Sequence, residues 1–354
     1  MWRVAADAFF GNGDNVEQTR NFRQRINPFE DFDDDNFFRK YRFPKPIFTE
    51  LLDILEPALE RNTHRSHVLD SSLQLCTAVR YFAQGGFLPM VGDVHGIGPR
   101  VTSKCIHTVA QAICDRMDRF IRWPTVDEIG IAKRQFYERF QFPCIVGLID
   151  GSQVPIQGPF PPANEAVYIC RKGFHSINVQ IVCDMNLNII DLDARWPGST
   201  HDSFILRNSH IWDMFEQGRV IPNTWLLGDS GYPQKPWLMT PYQNPANDAQ
   251  ERYNTQHKHI RSIVERCNGV WKMRWRCLTK PNMFQPAKAS KIIAACGALH
   301  NFAVAHGIPI GEEIDEDLIN QQHDDPNHDP EPNVGNDGAR AREDLVRRVF
   351  TRRQ

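Results

Sequence analysis

Two aspartates at the ends of short apolar runs, and one glutamate on a basic helix, are the residues from which this chain can build chemistry. Asp150 closes the run Ile145-Val146-Gly147-Leu148-Ile149 and is followed by Gly151. Asp229 follows Trp225-Leu226-Leu227-Gly228 and precedes the turn Ser230-Gly231-Tyr232-Pro233. Both patterns put a carboxylate where a strand buried on both faces emerges, and ligand sites of open α/β sheets gather at such strand ends. Glu265 lies beside the helical stripe Ile260, Ile263, Val264, Cys267, Val270 and Trp271. Three converging carboxylates offer oxygen ligands to Mg²⁺ or Mn²⁺. Two such ions ~3.5–4 Å apart can activate a water and stabilise the leaving oxygen of a phosphodiester. Taken singly, each acid has an ordinary explanation: an Asp-Gly turn, or an ion pair of Glu265 with Arg261 or Arg266.

The elements that must position these residues change character along the chain. From Ile47 to Leu59, and again from Leu73 to Phe82, apolar residues recur with a helical period. The second of these helices opens on the cap Asp70-Ser71-Ser72 and stops at Gly85-Gly86. A third helical stretch runs from Arg100 to Ile113, so residues 41–124 read as helical. Between about 143 and 230 the pattern becomes that of strands: Ile145–Ile149, then His175–Cys183, Asn188–Trp196 and Thr224–Gly228. Helices are expected at Ser203–Phe215 and from about Gln250 to Arg276. Trp271 and Trp275 read as core residues of the latter.

The 354 residues carry 41 Lys+Arg and 43 Asp+Glu, a formal net charge of −2, with 41% hydrophobic residues. That composition excludes collagen, coiled-coil and wholly disordered chains. The neutral average hides segregation. Ten acids and no Lys or Arg lie between Gly311 and Gly338, followed by six Arg from Arg340 to Arg353; residues 311–354 are therefore expected to be a disordered acidic tail with an Arg-rich end. The remaining residues hold 35 bases and 31 acids, a net +4. Eight of the bases fall between Arg252 and Lys280 beside the single acid Glu265. Residues 1–40 read as a flexible arm. No run approaches the ~18–20 apolar residues of a membrane span, and nine Cys without a Cys-x-x-Cys pair read as reduced thiols of an intracellular protein.

Five motifs occur in a recognisable order: Asp150-Gly151-Ser152-Gln153-Val154-Pro155-Ile156; Tyr168 with Arg171-Lys172-Gly173-Phe174-His175-Ser176-Ile177-Asn178-Val179-Gln180; Pro197-Gly198-Ser199-Thr200-His201-Asp202-Ser203; Gly228-Asp229-Ser230-Gly231-Tyr232-Pro233; and Val264-Glu265-Arg266-Cys267-Asn268-Gly269. Together they resemble the DDE nuclease domain of Harbinger/PIF transposases and their domesticated derivatives, over about residues 143–300. The helices before Pro124 are similar, more loosely, to that family's helix-turn-helix region. The resemblance implies an α/β fold: a ribonuclease-H-like mixed sheet with flanking helices over residues 125–310, preceded by a small helical, helix-turn-helix-like domain over 41–124.

It also implies a catalytic triad of Asp150, Asp229 and Glu265 holding divalent cations, Mg²⁺ or Mn²⁺, two in number. Asp202 matches an acid often included with the metal ligands; it can equally be a helix cap. Arg171, Lys172 and His175 precede a strand and either meet the scissile backbone or belong to a solvated loop; Arg261, Arg266, Lys272, Arg274 and Arg276 either contact phosphates or form a solvated basic face. Two positions depart from the family pattern: Gln153, where a His is common, and Asn268, where an aromatic is commoner. The family further implies DNA as substrate, a Myb-like partner, a homo-oligomer, and a nuclear or partly cytoplasmic location.

The leading reading is thus a metal-dependent DNA endonuclease of transposase origin, with strand transfer as a further activity. Its competitors are a domesticated DNA-binding or scaffold protein with a vestigial site, and a nuclease for RNA or RNA–DNA hybrids. The helix pair joined across Gly85 to Pro99 is expected to be a DNA-recognition pair, with a three-helix bundle that makes no DNA contacts as the alternative.

Overall fold

The computed structural model describes residues 25–60, 69–159, 162–309 and 336–351. Its centre is a five-stranded sheet in the order β3-β2-β1-β4-β5. The strands are β1 (Ile145–Pro155), β2 (Ser176–Cys183), β3 (Ile189–Pro197), β4 (Trp225–Leu227) and β5 (Leu238–Met239). Neighbours β1, β2 and β3 pair antiparallel, whereas β4 runs parallel to β1 and β5 parallel to β4. This is the ribonuclease-H-like mixed sheet. The continuous apolar run of β1 is explained by burial on both faces: Ile145 and Leu148 enter one core cluster, Val146 and Ile149 the other.

Helices cover both faces. On one lie α10 (Asp248–Arg274), capped by the Asn247 side chain on Gln250 N, and α11 (Pro286–Ala305). On the other lie α7 (Val126–Phe140), α8 (Asp202–Arg207) and α9 (His210–Glu216). The single helix expected over Ser203–Phe215 is broken at Asn208, because Ser209 Oγ accepts Trp212 N and starts a new helix. The capping box of Thr125 and Glu128 fixes the start of α7, an element that the apolar periodicity did not announce.

The amino-terminal helices are α1 (Pro28–Asp31), α2 (Asp34–Tyr41), α3 (Lys45–Leu59), α4 (Ser71–Gln84), α5 (Leu88–Val94) and α6 (Pro99–Cys114). They share one core with α10 and α11: Phe43 packs at a tilt against Trp275 and edge-on against Phe302, and Tyr81 meets Phe284 edge-on. At the end of α4, Gly85 has φ +63, and a β-carbon there would stand 3.1 Å from Cys277 Cα. Its place is held by both the left-handed backbone and the close approach.

Two expectations are corrected here. Residues 25–40 are no arm, because Phe37 is fully buried among Phe29, Tyr41 and Phe48; residues 1–24 lie outside the described residues. The two helices of the expected recognition pair, α4 and α6, are separated by α5; α4 is buried almost all round, whereas α6 keeps an exposed side that includes Val101 and Lys104. The carboxyl-terminal expectation also changes. Residues 336–349 form a helix, α12 (Asn336–Val349), with Leu345 and Val346 buried against the body. The acidic residues 311–335 lie outside the described residues. No helix among the described residues is long and apolar enough to cross a membrane.

Candidate active site

Leu148 of β1 pairs with Leu227 of β4, and the parallel pairing stops there. Asp150 and Asp229 each follow two residues on, Asp150 still within β1 and Asp229 in the loop after β4, just past the point where the sheet opens. Asp150 is not at a strand end as expected. β1 continues to Pro155 in register with β2, so its far half has β2 on one side and leaves its other edge to the loop after β4. Asp229 Oδ1 accepts the Gly231 amide at 2.9 Å, a local turn that fixes the carboxylate.

α10 crosses this opening and supplies the next group. Arg261, Glu265, Asn268 and Lys272 are spaced by four, three and four residues, which places them along one face of a helix. Arg261 Nη2 donates to Asp150 Oδ1 at 2.9 Å, and its Nη1 donates to the Ile149 carbonyl at 3.2 Å. Asn268 Nδ2 donates to Asp150 Oδ2 at 2.9 Å. Lys272 Nζ donates to the Gln153 carbonyl at 2.9 Å. The helix is thus fastened to β1 over residues 149–153, and Glu265 is carried, half-buried, into the same cleft.

Asp202 reaches the site from α8. His201 occupies the cap position without a side-chain cap bond, and Asp202 is the first helical residue. Its Oδ1 accepts Asn178 Nδ2 at 2.8 Å, and both its oxygens stand over Gly151. Asp202 is therefore a cleft residue rather than a cap.

The electrostatics follow from this crowding. Burial raises the Asp150 pKa to about 6; Arg261 opposes the shift, while the charges of Asp229 and Asp202 add to it. For Arg261 burial works against the charge, yet Asp150 and Asp229 outweigh it and raise its pKa. Lys272 is pushed down to about 8 by burial, with Asp150 holding it up and Lys172 pressing it down. Tyr232, buried beside Gly228 and Ile149, is raised by burial and then by Asp202, Asp229 and Asp150; its hydroxyl has no hydrogen-bond partner.

Asp150, Asp202, Asp229 and Glu265 line a cleft of about 470 Å³ together with Arg261 and Lys272. Arg171 and Lys172 stand exposed at its rim, Arg171 Nη2 lying 3.1 Å from His201 Nδ1. Other expected contacts fall elsewhere. His175 pairs with Glu165 at 2.9 Å and does not line the cleft. Arg266 is exposed outside it. Arg274 is buried and donates to the Ile308 carbonyl at 3.1 Å, which removes it from the cleft face. Asn178, Gly151, Tyr232 and the polar role of Asn268 were not singled out by residue type; their signal was adjacency to an acid in the folded chain.

The donor set suits a hard divalent cation: four carboxylates converge on one cleft, and the acids press on one another electrostatically with Arg261 as the balancing charge. As the side chains stand, no three His, Cys, Asp or Glu of the described residues are grouped closely enough to hold an ion. Both oxygens of Asp150 are engaged by Arg261 and Asn268, but each carboxylate oxygen has two acceptor sites, so a ligating position is left on each.

A family model described as DDE superfamily endonuclease matches residues 149–301. The human protein HARBI1, named as a nuclease, is 34% identical over 286 residues, 79% of this chain and 81% of its own length. HARBI1 of Xenopus laevis is 30% identical over 327 residues, 91% of this chain and 92% of its own. An Arabidopsis thaliana protein named ALP1-like is 26% identical over 267 residues, covering 71% of this chain and 64% of its own. No solved structure matches. The chain belongs to the DDE superfamily endonucleases, in the Harbinger-type, transposase-derived group that these relatives define.

Proposed function

We propose that the cleft is a metal-dependent DNA endonuclease site in which Asp150, Asp229 and Glu265 hold two divalent cations, Mg²⁺ or Mn²⁺, with Asp202 as a further oxygen ligand. The observation that carries this reading is the convergence of β1, the loop after β4, and α10 on one opening, each contributing one acid. Bound there, the cations would supply an activated water and charge stabilisation of the leaving oxygen. The chain's own residues do the rest. Arg261 keeps Asp150 ionised and fixed to the α10 face. Lys272 in the wall, with Arg171 and Lys172 on the rim, faces the polyanion. Strand transfer, a Myb-like partner, homo-oligomer formation and a nuclear location belong to the same reading.

Asp229→Asn, which keeps the Gly231 turn acceptor, tests it. Cleavage of duplex DNA should fall by at least a hundredfold while DNA affinity in EDTA stays within about twofold. Parent-rate cleavage by this variant, or cleavage by the parent in EDTA, defeats the assignment. A second reading, a DNA-binding or scaffold protein with a vestigial site, is favoured by the engagement of both Asp150 oxygens. A parent protein that binds DNA but takes up no Mn²⁺ in calorimetry would establish it.

A further inference from the structure

Asn268 is 4% exposed, and only one of its two side-chain polar atoms is satisfied. Its Nδ2 donates to Asp150 Oδ2, while its Oδ1 is buried without a hydrogen-bond partner. Its helical neighbours Val264, Cys267, Val270 and Trp271 are all buried in the main core, so an apolar side chain would suit the position without leaving an acceptor unpaired. A buried amide kept at that cost is explained by what its donor does. Arg261 grips the other oxygen of the same carboxylate from two turns earlier on the same helix face. The carboxylate of Asp150 is therefore held at both ends from one rigid element, 111 and 118 positions away in the chain.

We propose that Asn268 is a positioning residue that fixes the carboxylate plane of Asp150 for divalent-cation binding. Arg261 supplies charge and direction on Oδ1. Asn268 supplies direction alone on Oδ2, because a second cation on that oxygen would compete with the metal. Both hydrogen bonds leave acceptor capacity on the carboxylate. Partners that orient a ligating side chain typically carry a 10–100-fold share of metal affinity. The inference rests on the metal-binding reading above, and the experiment separates the two.

Mn²⁺ alone is titrated calorimetrically into the full-length parent and into Asn268→Leu, Asn268→Ala and Asn268→Gln. Leu keeps the volume without the donor. Ala covers the case in which Leu folds poorly, and Gln restores an amide. The Leu and Ala variants should bind Mn²⁺ 10–100-fold more weakly than the parent, with Gln recovering at least part of the loss. The Mn²⁺ concentration for half-maximal cleavage should rise by the same factor, with the KM for DNA unchanged. Unchanged Mn²⁺ affinity in folded Leu and Ala variants, verified by melting in EDTA, overturns the inference and leaves the metal site standing. A parent that binds no Mn²⁺ overturns the metal reading, and this inference falls with it.

Discussion

Gly151 and Asp202 are in contact over the face of β1: a β-carbon at residue 151 would lie 2.6 Å from both carboxylate oxygens of Asp202. Real β-carbons do not approach oxygens so closely. The first helical residue of α8 and the residue after Asp150 are thus fitted to each other. The carboxylate cannot simply swing aside, because Asn178 Nδ2 holds Oδ1 at 2.8 Å.

Gly151→Ala should therefore displace Asp202 and lose at least tenfold in cleavage, at a folding cost of about 1–3 kcal/mol from overpacking. Backbone conformation is not the obstacle, since Gly151 is absent from the positive-φ positions. The cause is checked by a double-mutant cycle in urea. In an Asp202→Ala background the folding cost of Gly151→Ala should largely vanish, because the colliding group is gone. An equal cost in both backgrounds would show that the strain lies elsewhere.

Lys272 gives the site a pH dependence of defined sign. Its pKa is lowered to about 8 by burial, so its charge is present at pH 7 and mostly lost at pH 9. On the proposed reading, one phosphate contact disappears over that interval, and the slope of log affinity against log salt should shrink by roughly 0.9. Folding stability moves the other way. Between pH 8 and the unfolded lysine value the folded chain binds fewer protons than the unfolded chain, so this group's burial penalty is relieved as pH rises. Anisotropy titrations in KCl at the two pH values, with thermal melts alongside, separate the two effects. Lys272→Met should show no such change in salt slope.

How much of this was legible in the sequence depends on whether the cause is local. Asp150 and Asp229 stood out because each follows its own apolar run, and the register that puts each two residues past the Leu148–Leu227 pair needs only those runs to pair. The four expected strands begin within about a residue of β1 to β4, but β1 runs six residues beyond Ile149, where Asp150, Gly151, Ser152 and Gln153 break the continuous apolar mark. Arg261 and Asn268 were invisible as partners of Asp150, since nothing local relates residues more than a hundred positions apart. Arg274 belongs to the basic run Arg252 to Lys280, but the density of bases along a sequence says nothing of which helix face each one takes. Two residues beyond Lys272 is about 200° round the helix, and that turn takes the Arg274 guanidinium to Ile308. The amino-terminal helices carried a true helical period, but period alone does not say whether a face meets DNA or a neighbouring core.

The helix at the carboxyl terminus is hidden in the sequence for a related reason. Averaged over residues 311–354, acids and prolines mask an amphipathic stretch in which Ala341, Leu345, Val346 and Val349 fall on one side of α12. That side lies against β5, the loop after it and the start of α10. Arg342 Nη1 donates to the carbonyls of Thr240 and Pro241 at 3.0 and 2.9 Å, and its guanidinium stands 3.8 Å over the Tyr242 ring. Phe350 packs on Phe142 and Tyr253, and Arg252 donates to its carbonyl at 2.8 Å. Because α10 also carries Glu265 and Asn268, α12 braces the element that completes the cleft. Arg342→Ala should cost about 1.5–3 kcal/mol in urea melts, the range for hydrogen bonds from a charged donor. Cutting the chain at residue 336 should cost more, since it also uncovers Tyr253 and Phe142. Replacing the acids of residues 311–335 with Ser or Gly, and leaving α12 in place, should leave the melting midpoint within about 1 °C. A truncation at residue 311 therefore mixes two effects. Loss of DNA affinity after that truncation, with none after acid replacement, would assign the effect to α12, whereas equal changes in both would assign it to the acidic stretch.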